Sequence, residues 1–447
     1  MQKNVQNGGA MKIRKLLVAG VIVIALGAMV LGGCGKKSGE GKMKSTEVAS
    51  MSVSGTSSTV NVGTKSTENE VSGNSQTVQS NSTPTSDNSD KNQNNDLGQY
   101  GPGSSTPVMP MSKPNSKNIR ALYLTGWTIG RQSKLDHYVW LAKHSSINAY
   151  VIDVKGDDGF VAYKSNIPMV KALKNSENAY NVQKVVSTLH ANGIYVIGRV
   201  VCFKDPQLSK KRPDLAVQDK KGGLFYSKSN GKMITWLNPA DKDSWPYLVA
   251  IAKEALANGF DEIQFDYVRF PNDGKTKNMV FPGLTGPRYQ VINNFLAYAR
   301  GQMPNAVLSA DVFGIICVSP GDTENIGQNL DTIGKNVNYL SPMIYPSHYA
   351  LGQVINGKAY AKPDLQPYPV VYNSLIQAQN RMNKISNYGA TMRPYLQDFS
   401  ASWIGAGNYQ RYGVAQVKAQ IQATYDAGYT GWIMWNANNR YTEAAFQ

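Results

Sequence analysis

Asn258-Gly-Phe-Asp-Glu-Ile-Gln-Phe-Asp266-Tyr-Val-Arg269-Phe-Pro271 reads as a helix stop followed by a buried strand that carries a carboxylate. Gly259 closes an apolar helical stretch with the piece Ala-Asn-Gly, where a left-handed residue lets the chain turn back. The run from Glu262 to Phe270 is rich in β-formers and predicts a strand. Asp266 lies inside it, and a carboxylate taken out of water there is costly unless it is paired or hydrogen-bonded.

The same punctuation recurs on both sides, at Ala-Asn-Gly193 and Asp-Ala-Gly428. Eight β-rich runs are spaced along the chain: Ala121 to Trp127, Ala149 to Lys155, Tyr195 to Phe203, Glu262 to Phe270, Val307 to Gly314, Tyr339 to Tyr345, Arg393 to Phe399 and Gly431 to Asn436. Helical stretches separate them: Ser133 to His144, Val182 to Asn192, Ser244 to Asn258, Tyr289 to Arg300, Asn325 to Lys335, Asn373 to Asn387 and Val414 to Ala427. Alternation of this kind puts parallel strands inside and helices outside. Eight consecutive units fit a closed (β/α)8 TIM barrel, an α/β fold, better than an open doubly wound sheet. Only Ala437 to Gln447 follow the eighth run, enough for one short closing helix. The longest connections, residues 204–243 and 346–372, follow strands three and six and belong on the C-terminal face, where such barrels carry their chemistry.

Further outward the composition changes. All seven Trp lie beyond residue 117, and residues 118–447 form the expected folded domain. Residues 34–117 are Ser, Thr, Asn, Gly and Gln with scattered charge, too poor in apolar surface to repay the entropy of ordering them, and read as a disordered tether. Residues 1–33 read as a lipoprotein signal peptide: Lys12, Arg14 and Lys15 precede the apolar run Leu16 to Leu31, which leads to Leu31-Gly-Gly-Cys34. Small residues before a Cys suit lipidation of its thiol ahead of cleavage, so the mature chain is expected to start at lipidated Cys34. An uncleaved span is the other reading, but the run is short for a bilayer needing roughly 20 apolar residues. Met1 to Ala10 lack signal character, which makes Met11 a second candidate start. The expected location is extracytoplasmic, lipid-anchored to the membrane and facing the cell wall.

Charge and motifs narrow the function. The net charge is +16, and residues 118–447 carry 34 basic against 23 acidic side chains. A basic exported domain favours anionic wall polymers or simply has a solvated basic surface. Without a basic helix or an aromatic RNA-binding motif, nucleic acid is not an expected partner. The four His, at 137, 144, 190 and 348, lack the spacing of a zinc site, so no metal is expected. No serine-hydrolase elbow, phosphate loop or redox cofactor signature occurs, so no cofactor is expected either. Cys202 and Cys317 are expected to be buried free thiols.

Four predicted strands carry an acid, at Asp153, Asp266, Asp311 and Asp398. One alone could pair with an Arg; four on one rim suit glycosidic cleavage, which needs two carboxyl groups facing each other across the bond. Arg269, three residues past Asp266, could hold it ionised or form a surface pair, and Arg199 on strand three is placed comparably. Trp127, Tyr267, Tyr345, Tyr349 and Trp435 are candidate platforms for sugar rings. His348, after strand six, contacts substrate or is a solvated loop residue.

The Asn258–Pro271 segment, with Ala121 to Trp127, Leu237-Asn-Pro-Ala, Ser341-Pro-Met-Ile-Tyr-Pro-Ser-His-Tyr349 and Trp435-Asn-Ala-Asn-Asn, resembles the "putative glycosyl hydrolase domain" family of exported Gram-positive proteins. The likeness spans residues 118–447 and implies an amylase-related barrel. Asp266 then resembles the strand-four nucleophile of such barrels. Their acid/base is a Glu ending strand five, where this chain has Asp311, a shorter side chain. Asp153 and Asp398 loosely resemble the orienting carboxylate and are assigned to substrate binding, together with Trp127, Arg199, Tyr267, Arg269, Tyr345, His348 and Trp435. Two functions follow: a glycoside hydrolase acting on a wall or extracellular polysaccharide, or a barrel lipoprotein that binds glycan without turnover.

Overall fold

The computed structural model describes residues 116–229 and 232–447; the signal segment, Cys34 and nearly all of the tether lie outside the described residues. Eight parallel strands form one ring: β1 (Arg120–Leu124), β2 (Ala149–Lys155), β3 (Tyr195–Val201), β4 (Glu262–Asp266), β5 (Val307–Phe313), β6 (Tyr339–Met343), β7 (Thr391–Met392 and Tyr395–Gln397) and β8 (Trp432–Trp435). Each pairs with the next, and β8 returns to β1 through Arg120–Trp432, Ala121–Ile433 and Leu122–Met434. The barrel is therefore closed, as the eight-fold alternation predicts. β7 is split because Pro394 has no N–H to give the ladder, while Arg393 on its near side still donates to the Leu340 carbonyl.

Seven helices cover the ring: α1 (Gln132–Lys143), α2 (Val182–His190), α3 (Trp245–Ala257), α4 (Arg288–Gln302), α5 (Leu330–Ile333), α6 (Pro367–Met382) and α7 (Val414–Asp426). α2 shows why they form. Asn181 caps it by accepting from the Lys184 N–H, and Val182, Val185, Val186 and Leu189 recur at helical spacing on the buried face. Gly259 then takes φ +98° to carry the chain into β4, and Gly193 and Gly428 repeat that turn.

Several element boundaries differ from expectation. β1 stops at Leu124, because Thr125 caps a short helical turn, Gly126–Ile129, that lifts Trp127 out of the sheet. β4 stops at Asp266. α5 is a single turn, since Asn325 and Gly327 take left-handed backbone and Asn329 caps only at Leu330. α6 begins at Pro367, six residues before the expected Asn373, because proline fits a first helical turn.

The outer faces of the strands and the inner faces of the helices make the main apolar core. The lumen holds a second cluster including Ala121, Tyr123, Val151, Ile197, Tyr345 and Ile433, interleaved with buried charge. Near the N-terminal end Glu262 pairs with Arg393, accepts from Ser309 Oγ at 2.5 Å and from the Tyr195 hydroxyl at 3.3 Å. The Arg393 guanidinium lies 4.2 Å from the Tyr339 ring centroid. Cys202 and Cys317 are buried free thiols. Among the described residues, no helix is long and apolar enough to cross a membrane.

A buried ion pair broken on one side leaves an uncompensated charge, which costs about 3–5 kcal/mol. Glu262→Leu is expected to destabilise the barrel by that amount in urea denaturation, and Glu262→Leu with Arg393→Met to recover most of the loss. Equal stability of the single and double variants would contradict this account.

Candidate active site

The inward positions at the C-terminal ends of β2, β3, β4 and β5 bring together Asp153, Arg199, Asp266 and Asp311. Arg199 is the hub. Its Nε and Nη2 donate to Asp266 Oδ2 at 2.9 and 2.5 Å, and its Nη1 donates to Asp153 Oδ1 at 2.6 Å. The Tyr123 hydroxyl donates to the other Asp153 oxygen at 2.8 Å. Above the guanidinium, Tyr123 and Trp435 stack at 4.1 Å between centroids, with Arg199 5.3 and 5.7 Å from the two rings. Burial opposes the Arg199 charge, but Asp266 and Asp153 outweigh it and raise the group. Burial also pushes Asp153 up to about 6, against the pull of Arg199 and Tyr123.

Asp266 ends β4 and Asp311 lies within β5, each one step past the paired Phe265 and Ala310. Their environments differ. Asp266 Oδ2 takes two Arg199 donors, and its Oδ1 accepts the Tyr267 N–H at 2.6 Å. Asp311 is 2% exposed and its Oδ1 has no hydrogen-bond partner. Burial first, and then the neighbouring Asp266 charge, raise the Asp311 carboxyl well above the usual carboxylate range. One carboxyl is thus held by a guanidinium fork while burial favours the protonated form of its neighbour, an asymmetry that acid–base chemistry uses.

Tyr267 is held at φ +48°, a conformation that costs a bulky residue about 1–3 kcal/mol. That turn aims its N–H back at Asp266. Arg269 does not touch Asp266. Its guanidinium sits 4.9, 5.1 and 4.7 Å from the Trp236, Tyr267 and Phe313 rings and donates to the Phe270 carbonyl and to Asn272, each at 3.0 Å. Arg199 fills the role that proximity in sequence suggested for Arg269. Asp398 lies just beyond β7, and its oxygens accept the Thr442 N–H and hydroxyl, each at 2.7 Å. That fastening ties the segment after β8 to the rim.

Tyr345 is buried beside Asp311 and Asp266, and burial first, then these neighbouring acids, raise its phenol. His348 is solvent-exposed and stands edge-on to the Tyr345 and Phe399 rings. Tyr349 is buried, bonded to the Gly314 carbonyl and Ser374, and belongs to the core. Trp127 is 60% exposed, with its indole N–H on Glu177 at 3.1 Å. Tyr123 escaped the sequence reading, although its alternation with Ala121 on β1 marks it as inward-facing. Lys204 was also missed; it pairs with Asp157 at 2.6 Å and lies 4.8 Å from the Tyr267 ring centroid. Among the described residues no cluster of three or more His, Cys, Asp or Glu is placed to hold a metal. A recess of about 530 Å³, lined by Tyr195, Phe260 and Asp261, opens at the N-terminal end, opposite the carboxylates, and Asp261 there is tied to His190.

This chain belongs to the family described as "Putative glycosyl hydrolase domain", whose model matches residues 121–441. No curated relative matches it. Among solved structures, it is similar to a hypothetical protein from Ruminiclostridium thermocellum, with 56% identity over 43% of this chain and 97% of that one and a TM-score of 0.40. It is also similar to the PgaB (BpsB) glycoside hydrolase domain from Bordetella bronchiseptica, with 13% identity over 74% of this chain and 99% of that one and a TM-score of 0.51. The second likeness is one of fold.

The Asp153 shift has a stability consequence. Its folded value lies above the ordinary 3.8, so the native state holds the proton more tightly than the unfolded chain. That contribution is complete below the unfolded value and is lost as pH rises through about 6. Asp153→Asn, which mimics the protonated form, is expected to match wild type near pH 4 and to exceed it by about 3 kcal/mol above pH 7 in denaturant titrations. A gap that is the same at both pH values would refute the assignment.

Proposed function

We propose that this chain is an exported, lipid-anchored glycoside hydrolase that cleaves a cell-wall or other extracellular polysaccharide. The observation that carries the reading is the contrast between Asp311, buried with one oxygen unbonded and its carboxyl raised by burial, and Asp266, clamped by Arg199. In the reaction Asp311 gives its proton to the glycosidic oxygen as the bond to the anomeric carbon breaks. Asp266 attacks that carbon or takes a proton from the water that does. If Asp266 attacks, water then opens the glycosyl ester, giving its hydroxyl to the anomeric carbon and its proton to Asp311; if Asp266 activates water, that hydroxyl joins the carbon directly, the proton stays on Asp266, and exchange with solvent returns one to Asp311. Arg199 orients the Asp266 carboxyl through its two hydrogen bonds and, with Asp153, binds hydroxyls at the mouth.

Trp435 and Tyr345 supply apolar faces near the carboxylates, and Trp127, Tyr267, Arg269 and His348 extend the binding surface. Membership in a glycosyl hydrolase family supports the reaction class. The Leu31-Gly-Gly-Cys34 sequence supports lipidation of Cys34 at the membrane, and the basic balance of residues 118–447 supports an anionic wall environment.

Asp266→Asn is expected to abolish release of reducing ends from purified wall and extracellular glycans while sparing binding. Asp311→Asn should lower turnover about 10²–10⁴-fold, the usual share of a general acid. In wild type the rate should fall as pH rises through the elevated Asp311 value, and Asp311→Asn should lack that alkaline limb. The anomer released first separates direct attack from water activation. Unimpaired turnover by Asp266→Asn would leave a glycan-binding lipoprotein in place of an enzyme.

A further inference from the structure

Four rings form a continuous wall that runs outward from the carboxylates. Tyr345, beside Asp311 and Asp266, meets Phe399 at 5.5 Å and His348 at 5.1 Å between centroids, both edge to face. Phe399 stacks on Trp403 at 5.9 Å with 20° between planes, and His348 meets Trp403 edge-on at 6.4 Å. Trp403 is 45% exposed. It sits in the turn Ser402–Ile404, where the Ile404 N–H donates to the Ala401 carbonyl at 3.1 Å beside the fully buried Ala401. A half-exposed indole packed on Phe399 leaves apolar surface in water that a ligand would cover.

The imidazole on this wall has a defined polarity. Gln397 Nε2 donates to Asp364 at 3.1 Å and to the Phe399 carbonyl at 2.9 Å, so its Oε1 is the acceptor. Ser347 Oγ gives its one proton to that oxygen at 2.8 Å. The 3.0 Å contact between Ser347 Oγ and His348 Nδ1 therefore runs from the imidazole N–H to the serine, and the neutral ring presents Nε2 as a bare acceptor. A flat apolar face with a lone acceptor at its edge matches a pyranose ring, which has C–H groups on its face and hydroxyl donors on its rim.

We propose that Trp403, Phe399 and His348 form a sugar-binding subsite beyond the scissile bond, with one ring stacked on Trp403 and one of its hydroxyls donating to His348 Nε2. The proposal rests on the glycan-cleaving site described above and makes the enzyme a reader of polymer interiors, because a second ring is gripped at a distance from the reacting one. Continuity of the wall with the carboxylates, through Tyr345, argues for a glycan as the occupant.

The test uses the full chain carrying Asp266→Asn and measures, by calorimetric titration, its binding of bacterial wall glycan fragments of two and six sugar units. The six-unit fragment should bind more tightly. Trp403→Ala should weaken its binding at least about tenfold, Trp403→Phe should restore most of it, and His348→Phe should cost several-fold. Trp403 is at the surface, so its variants should melt with the parent. If wild type releases reducing ends but Trp403→Ala binds both fragments as the parent does, the subsite is overturned and the hydrolase stands. If wild type releases none yet Trp403→Ala still loses the six-unit fragment, the subsite stands and hydrolysis falls. If Trp403→Ala alters only oligomeric state in sedimentation, the wall belongs to a second copy of this chain and the proposal is overturned.

Discussion

Everything at the mouth of this barrel depends on one cation bridging two buried carboxylates. Arg199 must satisfy Asp153 and Asp266 at once, because a guanidinium or carboxylate left without a counter-charge in the lumen costs several kcal/mol. The planar fork meets that demand in a way a lysine ammonium could not, with one edge on Asp266 and the remaining nitrogen turned to Asp153. Asp311 lies outside the bridge, and burial there favours its protonated form.

The same logic stacks down the lumen. Below the Arg199 level, Gln264 donates to Ser341 Oγ at 3.1 Å and accepts from the Tyr395 hydroxyl at 2.6 Å. Lower still lies the Glu262–Arg393 pair. A barrel interior is more commonly filled with branched apolar side chains. Here polar layers alternate with Ala121, Val151, Ile197 and Ile433, and the hydrogen bonds of each polar layer tie neighbouring strands together. Such a lumen resists sliding of one strand past another, which keeps the carboxylates on β4 and β5 in register.

Much of this was legible in the sequence, because strands buried on both faces read as apolar runs and a helix stop reads as glycine. Tyr195 to Val201 and Val414 to Asp426 fell close to where they were expected. What could not be read was the partner across space. Arg269, three residues from Asp266, looked like its natural counter-ion, yet the actual one is Arg199, 67 residues away on the neighbouring strand. Asp398 gave no hint that Thr442 would take both its oxygens. Trp403 sits in a stretch without periodicity, and only the position of Phe399 and His348 in space gives it company. Chain order reports spacing along an element; chemistry at a rim depends on which elements become neighbours.

The ring is sealed by residues at opposite ends of the domain. β8 pairs with β1, and Asn439, 314 residues beyond Thr125, accepts its N–H and donates to the Tyr123 carbonyl. A chain made from its N-terminus therefore carries β1 with a naked edge until the last strand has been synthesised. Closure of so long a loop is entropically slow, and an unpaired edge invites association with other chains in the interval. The architecture that later gives rigidity to the mouth thus imposes a vulnerable period at birth, during which shielding by chaperones would matter more than the stability of the finished fold.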